Sequence, residues 1–219
     1  MNNTLVNNKV GKGLGVISLL LMAHHFGVRP WMLNWGAPEK IRKLTLSGDR
    51  FTGGRSYTRA VLIHAAPEKI WPWIMQLGQE RGGFYSYSWL ENMIRADMKN
   101  TYELNTELQA PRQAGDIIWL ANKENYKGKG YQVLAEVIPE KSFVMVSGSD
   151  YQRILNGQKA IGCWSIYLHP ENETSTWLIA RSSGDEPIGY RILRYFTFEI
   201  PHFIMEQKML RTIKHLAEK

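Results

Sequence analysis

The fold is decided by Gln79–Asn92, QERGGFYSYSWLEN, where two adjacent glycines precede four aromatic residues within six positions. Arg81 lies near one end of this stretch, and Glu91 and Asn92 lie at the other. A solvent-exposed loop is usually more polar, and a helix rarely begins with Gly82-Gly83 because glycine loses more backbone entropy on folding than other residues. The stretch therefore indicates a packed corner of a core or the lip of an apolar pocket.

The composition is that of a single folded domain. A chain of 219 residues is long enough for one full core, and its 44% of apolar residues excludes a disordered chain. The formal net charge of +7 favours anionic partners. The basic residues are scattered, however, and neither a zinc-finger spacing nor the glycine-aromatic RNA-binding signature is present. We therefore predict no nucleic-acid partner and leave the oligomeric state open.

The sequence predicts no metal site and no cofactor. The single cysteine, Cys163, excludes an intramolecular disulfide and any Cys-rich metal site. It alternates with Ile161, Ser165 and Tyr167, which is typical of a buried and inert thiol. The sequence contains no nucleophile elbow, phosphate loop, His-x-x-x-His pair or Cys-x-x-Cys pair, and its histidines are dispersed.

An uncharged run extends from Gly13 to Val28, and Leu14–Ala23 within it is almost entirely apolar. As a helix this run spans roughly 24 Å, somewhat less than the ~30 Å hydrocarbon layer of a bilayer. Extension of the helix to Leu33 would cross the layer, with Arg29 snorkelling and Trp31 at the interface.

Three interpretations of this run compete. A secretory signal peptide fits the basic start, but no A-x-A-like cleavage site follows. A buried helix is possible, yet Lys9 and Lys12 beside an all-round apolar helix suit an interface better. We favour a membrane anchor formed by residues 13–33, within a hydrophobic segment 1–34. The distribution of basic residues leans toward a cytoplasmic domain.

The remaining chain divides into a connecting segment, residues 35–55, and a main domain, residues 56–219. The domain begins with a predicted strand at Ser56–Ala65, followed by a helix that starts at Pro67 and is kinked or confined by Pro72. A second helix is predicted from Ser86 or Ser88 to Asp97, capped by serine, with three of its apolar side chains turned inward: Trp89, Leu90 and Met93.

Strand periodicity then replaces helix periodicity. The predicted strands are Asp116–Ala121, Tyr131–Ile138, Phe143–Ser147, Ala160–Leu168 and Ser175–Ser182. A helical region follows at 188–218, which Pro201 splits or kinks. Short hairpins make the strands a curved antiparallel sheet, and only the C-terminal helix is long enough to cover its concave face. The expected fold class is α+β, with a helix-grip architecture and an extra N-terminal hydrophobic helix.

Several motifs carry a resemblance to a known family: Thr58-Arg59-Ala60, Trp71-Pro72-Trp73, Gln76-Leu77-Gly78-Gln79, the RGGFYSY run at 81–87, and Leu90-Glu91-Asn92. Through them the chain from about Trp35 onward resembles the START-like SRPBCC superfamily, and more narrowly its bacterial polyketide cyclase or lipid-transport-like members without an assigned function. The resemblance implies a helix-grip cavity that binds lipids, sterols, polyketides or other apolar molecules. In some members it also implies cyclisation or dehydration, but it supplies no catalytic residues.

The candidate ligand-binding residues combine aromatic and polar side chains of the opening stretch. Phe84, Tyr85, Tyr87 and Trp89 are expected to plug or line one end of the cavity. Arg81, Glu91 and Asn92 would fix the polar end of an otherwise apolar ligand. Alternatively, Arg81 pairs with Glu91 and only holds the corner against the sheet.

Arg181 poses a similar question. It alternates with Trp177 and Ile179, so the strand period places all three on one face of the sheet. On the concave face Arg181 would enter the cavity and need a partner or a ligand; on the convex face it would be an ordinary surface charge.

The function predicted from these observations is binding of a hydrophobic small molecule, such as a lipid, a polyketide-like compound or an aromatic compound, at or near a membrane. Two alternatives stay open: an enzyme of the cyclase or dehydratase type acting on such a ligand, and a structural module that binds none. An acid/base pair in a cavity needs geometry rather than a sequence motif.

Overall fold

The computed structural model describes Met22, residues 24–184 and residues 195–219. The α-helices of these residues are α1 (Arg29–Leu33), α2 (Glu39–Arg42), α3 (Pro67–Met75), α4 (Ser88–Met93), α5 (Gly148–Leu155) and α6 (Ile200–Ala217). The strands are β1 (Arg55–Ile63), β2 (Ile117–Trp119), β3 (Tyr131–Ile138), β4 (Ser142–Val146), β5 (Gly162–Asn172) and β6 (Ser175–Gly184).

The strands form one six-stranded antiparallel sheet in the order β1-β6-β5-β4-β3-β2. Consecutive strands from β2 to β6 are neighbours, and β1 closes the order by pairing with β6 along its whole length. A register shift between Leu134 and Glu136 interrupts the β3–β4 ladder, and such bulges bend a sheet. The long C-terminal helix packs on one face, so the fold is the expected α+β helix-grip architecture.

The main core lies between the inner face of the sheet and α6. From α6 it takes Met209, Leu210, Ile213 and Leu216, and from the sheet it takes buried residues including Leu134, Ile166 and Leu178. The spacing of Met209, Ile213 and Leu216 in the sequence predicts that they share one face of a helix, and the structure buries all three. Helix α3 adds Ile70, Trp73 and Ile74 to the same core, with Pro72 inside the helix as predicted.

The outer face of the sheet carries a second core. Ala60, Val144 and Ile179 point away from α6 and pack against Ala37 and Ile41 of the segment that precedes β1. Residues 35–55 therefore do more than connect two parts of the chain, because α2 and the 3₁₀ turn Ser47–Phe51 cover sheet residues that would otherwise be exposed. The sequence did not predict that this segment covers the sheet. A segment this short, which packs only against distant strands, has no repeating pattern of apolar residues from which the packing could be predicted.

The described part of the N-terminal segment contacts the domain. The Arg29 guanidinium donates to both carboxylate oxygens of Glu199, at 2.8 and 2.9 Å, and the Trp31 ring lies 5.6 Å from that of Phe203. Arg29 is therefore paired with a carboxylate instead of snorkelling as predicted. None of the helices in residues 24–184 and 195–219 combines the length and the hydrophobicity that a transmembrane span requires. Of the predicted anchor, residues 13–33, the structure describes Met22 and residues 24–33, and the other positions lie outside the described residues.

Two helices differ from their predictions. Helix α4 is short, and it exposes 63% of Trp89 and 71% of Met93 while burying Glu91, so the prediction that those two apolar residues face inward was wrong. Helix α5 was not predicted; Ser147 begins it by accepting a hydrogen bond from the Asp150 backbone N–H at 3.0 Å. Pro201 is the second residue of α6, directly after the π-helical turn Tyr195–Glu199, so the region before the proline differs in helix type from the α-helix after it.

Candidate functional site

A cavity of about 150 Å³ lies between α4, the inner face of the sheet and α6. Its walls are mostly aromatic or aliphatic side chains, with four polar residues among them. The apolar lining residues are Phe84, Leu120, Trp164, Met205 and Met209; the polar ones are Ser86, Glu91, His202 and Glu206. An apolar concavity with a few polar groups is the usual form of a small-molecule site.

Glu91 contributes the carboxylate on the α4 side. Its side chain is 5% exposed, and its Oε2 atom has no hydrogen-bond partner among the described residues. Burial raises the pKa of Glu91 to about 7, because no cation or donor compensates for the loss of water around the carboxylate. Ser86, on the same wall, also has a buried hydroxyl without a partner in the described chain. Such orphaned buried atoms are rare and call for an explanation.

Glu206 contributes the carboxylate on the α6 side, and both of its oxygens accept hydrogen bonds. Its Oε2 accepts from Arg59 Nη1 at 2.6 Å, and its Oε1 accepts from the Trp164 indole N–H at 2.7 Å. His202 lies one turn earlier on α6, with its Nδ1 atom 3.3 Å from Arg59 Nη1. This network fixes the Trp164 ring, so one wall of the cavity is held in place by charged groups rather than by packing alone.

A second, larger cavity of about 440 Å³ lies beside the first. The two cavities share three wall residues: Leu120, Trp164 and His202. The larger one is more polar and includes serine side chains of β6 and α1 residues such as Arg29. Trp164 therefore borders both cavities, and the smaller one is the apolar end of a longer concave region.

The stretch Gln79–Asn92 forms a packed corner beside the cavity. It is built by Gly82-Gly83 and by three of the predicted site residues. The Tyr85 hydroxyl donates to the Trp73 carbonyl at 3.1 Å, and burial raises the pKa of this phenol to about 12. Arg81 Nη1 donates to three backbone carbonyls, those of Met75, Leu108 and Ala110. Asn92 exchanges two hydrogen bonds with the Met98 backbone, at 2.6 and 3.1 Å.

The alternative in which Arg81 pairs with Glu91 is not what the structure shows, because the Arg81 guanidinium donates to loop carbonyls instead. Of the eight residues predicted to bind a ligand, Phe84 and Glu91 line the cavity. Arg81, Tyr85 and Asn92 hold the corner that carries these two. Tyr87 and Trp89 lie outside on the surface, with 37% and 63% of their side chains exposed.

The structure places Arg181 on the outer face of the sheet, away from the cavity. It is 3% exposed, and its guanidinium donates to Asp49 at 2.7 Å and to the Leu44 carbonyl at 2.7 Å. It also donates to the carbonyls of Ile41 and Arg42. Neither predicted alternative anticipated this, since both left out the segment that covers the convex face.

Arg59, Trp164 and Glu206 were not predicted as site residues from the sequence. A signal for two of them was present: Arg59 alternates with Val61 and Ile63 on the inner face, and Glu206 shares the helical face of Leu210 and Ile213. One residue of each charge, on the apolar face of a strand and on the apolar face of a helix, indicates a buried ion pair between the two elements. In the described part of the chain, no group of three or more His, Cys, Asp or Glu side chains could hold a metal ion.

No protein-family model matches the chain, and no curated protein matches it. Among solved structures, it is similar to a protein from Mesorhizobium loti, with 17% identity, a TM-score of 0.36, and coverage of 74% of this chain and 98% of the other. It is also similar to norcoclaurine synthase from Thalictrum flavum, with 12% identity, a TM-score of 0.37, and coverage of 79% and 91%.

A third similar structure is the di-domain ARO/CYC StfQ from the steffimycin biosynthetic pathway. Its identity to this chain is 11%, its TM-score is 0.35, and the match covers 74% of this chain and 50% of StfQ. The helix-grip architecture rests on the sheet order and the helix described above, and these similarities carry no statement about activity.

Proposed function

We propose that the chain binds an apolar small molecule that has one hydrogen-bonding end, in the cavity between α4, the sheet and α6. The observation that carries this proposal is the carboxylate of Glu91, which is buried in an apolar wall and has an oxygen without a partner. A hydrogen-bonding ligand would supply the missing partner, and such a buried group otherwise costs free energy.

The size of the cavity limits what enters it. A volume of about 150 Å³ accommodates one aromatic ring or a short alkyl segment. The larger cavity beyond Trp164 has room for further rings or chain, about 440 Å³. The ligand class is therefore a lipid-like, polyketide-like or aromatic molecule with its polar end at Glu91 and Ser86.

The chemistry of that end follows from the protonation of Glu91. With a pKa raised to about 7 by burial, the carboxyl group is protonated in slightly acidic solution and donates a hydrogen bond. The Ser86 hydroxyl both donates and accepts. A hydroxyl or carbonyl oxygen on the ligand satisfies both residues.

Uptake of the neutral fluorescent probe N-phenyl-1-naphthylamine by the full chain tests the proposal. Met205 lines the cavity, whereas Ile204 beside it on α6 is 41% exposed. Met205→Trp fills the cavity and is expected to weaken probe binding at least tenfold, while Ile204→Trp leaves it unchanged. Failure of the unaltered chain to take up the probe, or equal binding by Met205→Trp, would contradict the proposal. Native mass spectrometry after gentle purification identifies any co-purified molecule.

A second candidate function, acid/base catalysis on the bound molecule, is favoured by one observation. Glu91 and the Glu206–His202 pair line the same cavity, and a carboxyl with a pKa of about 7 is suited to proton transfer at neutral pH. The test is incubation of the extracted ligand with the full chain and with Glu91→Gln, followed by mass spectrometry. A product formed only by the unaltered chain supports catalysis; an unchanged ligand restricts the function to binding.

We also propose that residues 13–33 bring the chain to a membrane. This part of the proposal is supported by the uncharged run from Gly13 to Val28. Leu20→Lys places a charge in that run, which costs about 2.5–3.5 kcal/mol in a bilayer interior and should release the chain. The measurement is fractionation of expressing cells without detergent. Recovery of the unaltered chain in the soluble fraction would contradict membrane attachment.

A further inference from the structure

The outward side of α4 is an unusually apolar surface for so short a helix. Trp89, Met93 and Ile94 are 63%, 71% and 65% exposed, although all three are large apolar side chains. Tyr87 extends the surface, with its ring 6.3 Å from that of Trp89. A contiguous patch of large apolar side chains marks an interaction site more often than a scattered few do.

Basic side chains lie beside this patch. The loop of residues 122–129 lies against the end of α4, because the Tyr126 hydroxyl donates to the Ile94 carbonyl at 2.6 Å and Asn125 Nδ2 donates to the Arg95 carbonyl at 3.0 Å. The Asn122 N–H bonds the Ala96 carbonyl at 2.8 Å. The loop thereby brings three exposed lysines beside the patch: Lys123, Lys127 and Lys129.

Further cations complete the border. Arg95 and Lys99 follow α4 and are exposed, and Lys208 of α6 lies 5.8 Å from the centre of the Tyr87 ring. The exposed acidic residues of residues 87–99 and 122–129 are Asp97 and Glu124. Asp97 is engaged with the Asn122 amide at 3.3 Å. The border of the patch is thus strongly basic.

We propose that this surface, formed by Tyr87, Trp89, Met93, Ile94 and the lysines of residues 122–129, docks on an anionic lipid bilayer. Exposed tryptophan and aliphatic side chains suit the boundary between headgroups and acyl chains, and lysines beside them suit anionic headgroups. An acidic protein would match the charges, but an exposed tryptophan and exposed aliphatic side chains with lysines beside them are the combination that interfacial membrane-binding surfaces use, which favours a lipid surface.

Docking through α4 also has a consequence for the cavity. Glu91, on the inward side of the same short helix, lines the cavity wall, while Trp89 and Met93 face outward. A bilayer bound at α4 therefore lies one helix thickness from the cavity. The docking proposal does not depend on the ligand proposed above, since it rests only on the outer side of α4 and the adjoining loop.

A fluorophore attached at the patch tests the docking directly. Cys163 is buried and burial raises its thiol pKa to about 11, so a cysteine introduced at an exposed position is labelled selectively. The full chain with Met93→Cys carries an environment-sensitive label in the patch. Leu155→Cys is the matched control, because Leu155 is also 62% exposed but lies on α5, which packs with the outer-face core.

Vesicles of phosphatidylcholine alone and of phosphatidylcholine with phosphatidylserine are then compared. We expect a blue shift of the label at position 93 with the anionic vesicles only, and none at position 155. The readout is local, so it is independent of how residues 13–33 attach to the vesicle. Binding to the anionic vesicles without a shift at position 93 would overturn the proposal, as would a shift produced by polyglutamate but not by vesicles, which would favour an acidic protein.

Charge variants provide a second test. In the chain labelled at position 93, Lys123→Gln, Lys127→Gln and Lys129→Gln together are expected to raise the concentration of anionic vesicles needed for the half-maximal shift on the order of a hundredfold, about fivefold for each lysine. The control removes the same charge from Arg42, Lys43 and Lys141, which are exposed elsewhere. Equal weakening by both triple variants would contradict docking through this surface, because it would indicate attraction by net charge alone.

Discussion

Arg59 Nη1 donates a hydrogen bond to Glu206 Oε2 over 2.6 Å, between two side chains of which 0% and 1% are exposed. Arg59 belongs to the edge strand β1 and Glu206 to α6, so this pair joins the sheet to the helix that closes the cavity. The Arg59 Nε–H also donates to the Met32 carbonyl at 2.8 Å, which ties in α1. One buried guanidinium therefore links three elements.

Arg59→Met should lower the free energy of unfolding by about 3–5 kcal/mol, because it leaves the Glu206 carboxylate buried without its cation. Chemical denaturation measures the change. Lys43→Met is the matched control: Lys43 pairs with Glu39, but 75% and 68% of these side chains are exposed. An exposed pair contributes under about 1 kcal/mol. Similar losses in the two variants would show that burial does not set the strength of the Arg59 pair.

The strands were predicted well because their periodicity is local. Tyr131–Ile138 has the predicted bounds, and the other strands differ from prediction by a few residues at their ends. The packing of residues 35–55 on the outer face of the sheet was not predictable in the same way. Ile41 packs against Ala60 and Ile179, which are distant in sequence, so no local pattern of apolar residues indicates these contacts. The site was predicted in part: Phe84 and Glu91 follow from the aromatic corner, whereas the Arg59–Glu206 network depends on two faces meeting in space.

Glu91 should make the stability of the protein fall as the pH rises. Its folded-state pKa is raised from 4.5 to about 7 by burial, so its stabilising contribution is fully present below 4.5 and is lost as the pH rises through 7. Glu91→Gln should remove this part of the dependence. We expect the variant to be more stable than the unaltered chain at pH 8, by about 1–3 kcal/mol, and similar to it at pH 4.5.

Thermal or chemical unfolding at several pH values measures this difference. The control is Glu124→Gln, because Glu124 is exposed in the loop beside α4. A parallel shift of both variants across the pH range would contradict the prediction. So would a Glu91→Gln variant that loses stability at pH 8, since that result would require a partner for the carboxylate.

Arg181 should affect stability and leave ligand binding unchanged. Its guanidinium satisfies the carbonyls of Ile41, Arg42 and Leu44 as well as the carboxylate of Asp49. Lysine keeps the charge but lacks the planar fork, so Arg181→Lys should lower the unfolding free energy by about 3 kcal/mol or more. Arg42→Lys, at an exposed position, should change it little. Loss of N-phenyl-1-naphthylamine binding by Arg181→Lys at unchanged stability would instead assign Arg181 to the ligand.

Gly83 is the position where the corner requires glycine. Its φ is +77°, a region that other residues rarely adopt, and a Cβ placed on it would lie 2.4 Å from Asn100 Oδ1 and 2.7 Å from the Lys99 carbonyl oxygen. Asn100 cannot move away freely, because its Oδ1 accepts from the Tyr85 N–H at 2.8 Å and its Nδ2 donates to the Ser86 carbonyl at 2.9 Å. Gly83 and Asn100 therefore position Ser86, and with it the cavity wall.

Gly83→Ala should consequently lower the unfolding free energy by about 2 kcal/mol or more, through backbone strain and the clash with Asn100. Gly53→Ala is the control, since a Cβ at Gly53 would meet nothing within 4 Å. Denaturation measures both variants, and probe uptake by the folded fraction reports the cavity. We expect Gly83→Ala to weaken probe binding as well, because the shifted Asn100 no longer holds Ser86 and Tyr85 in place. A Gly83→Ala variant as stable as Gly53→Ala would show that the corner can rearrange, and that Gly83 is not what shapes the cavity wall.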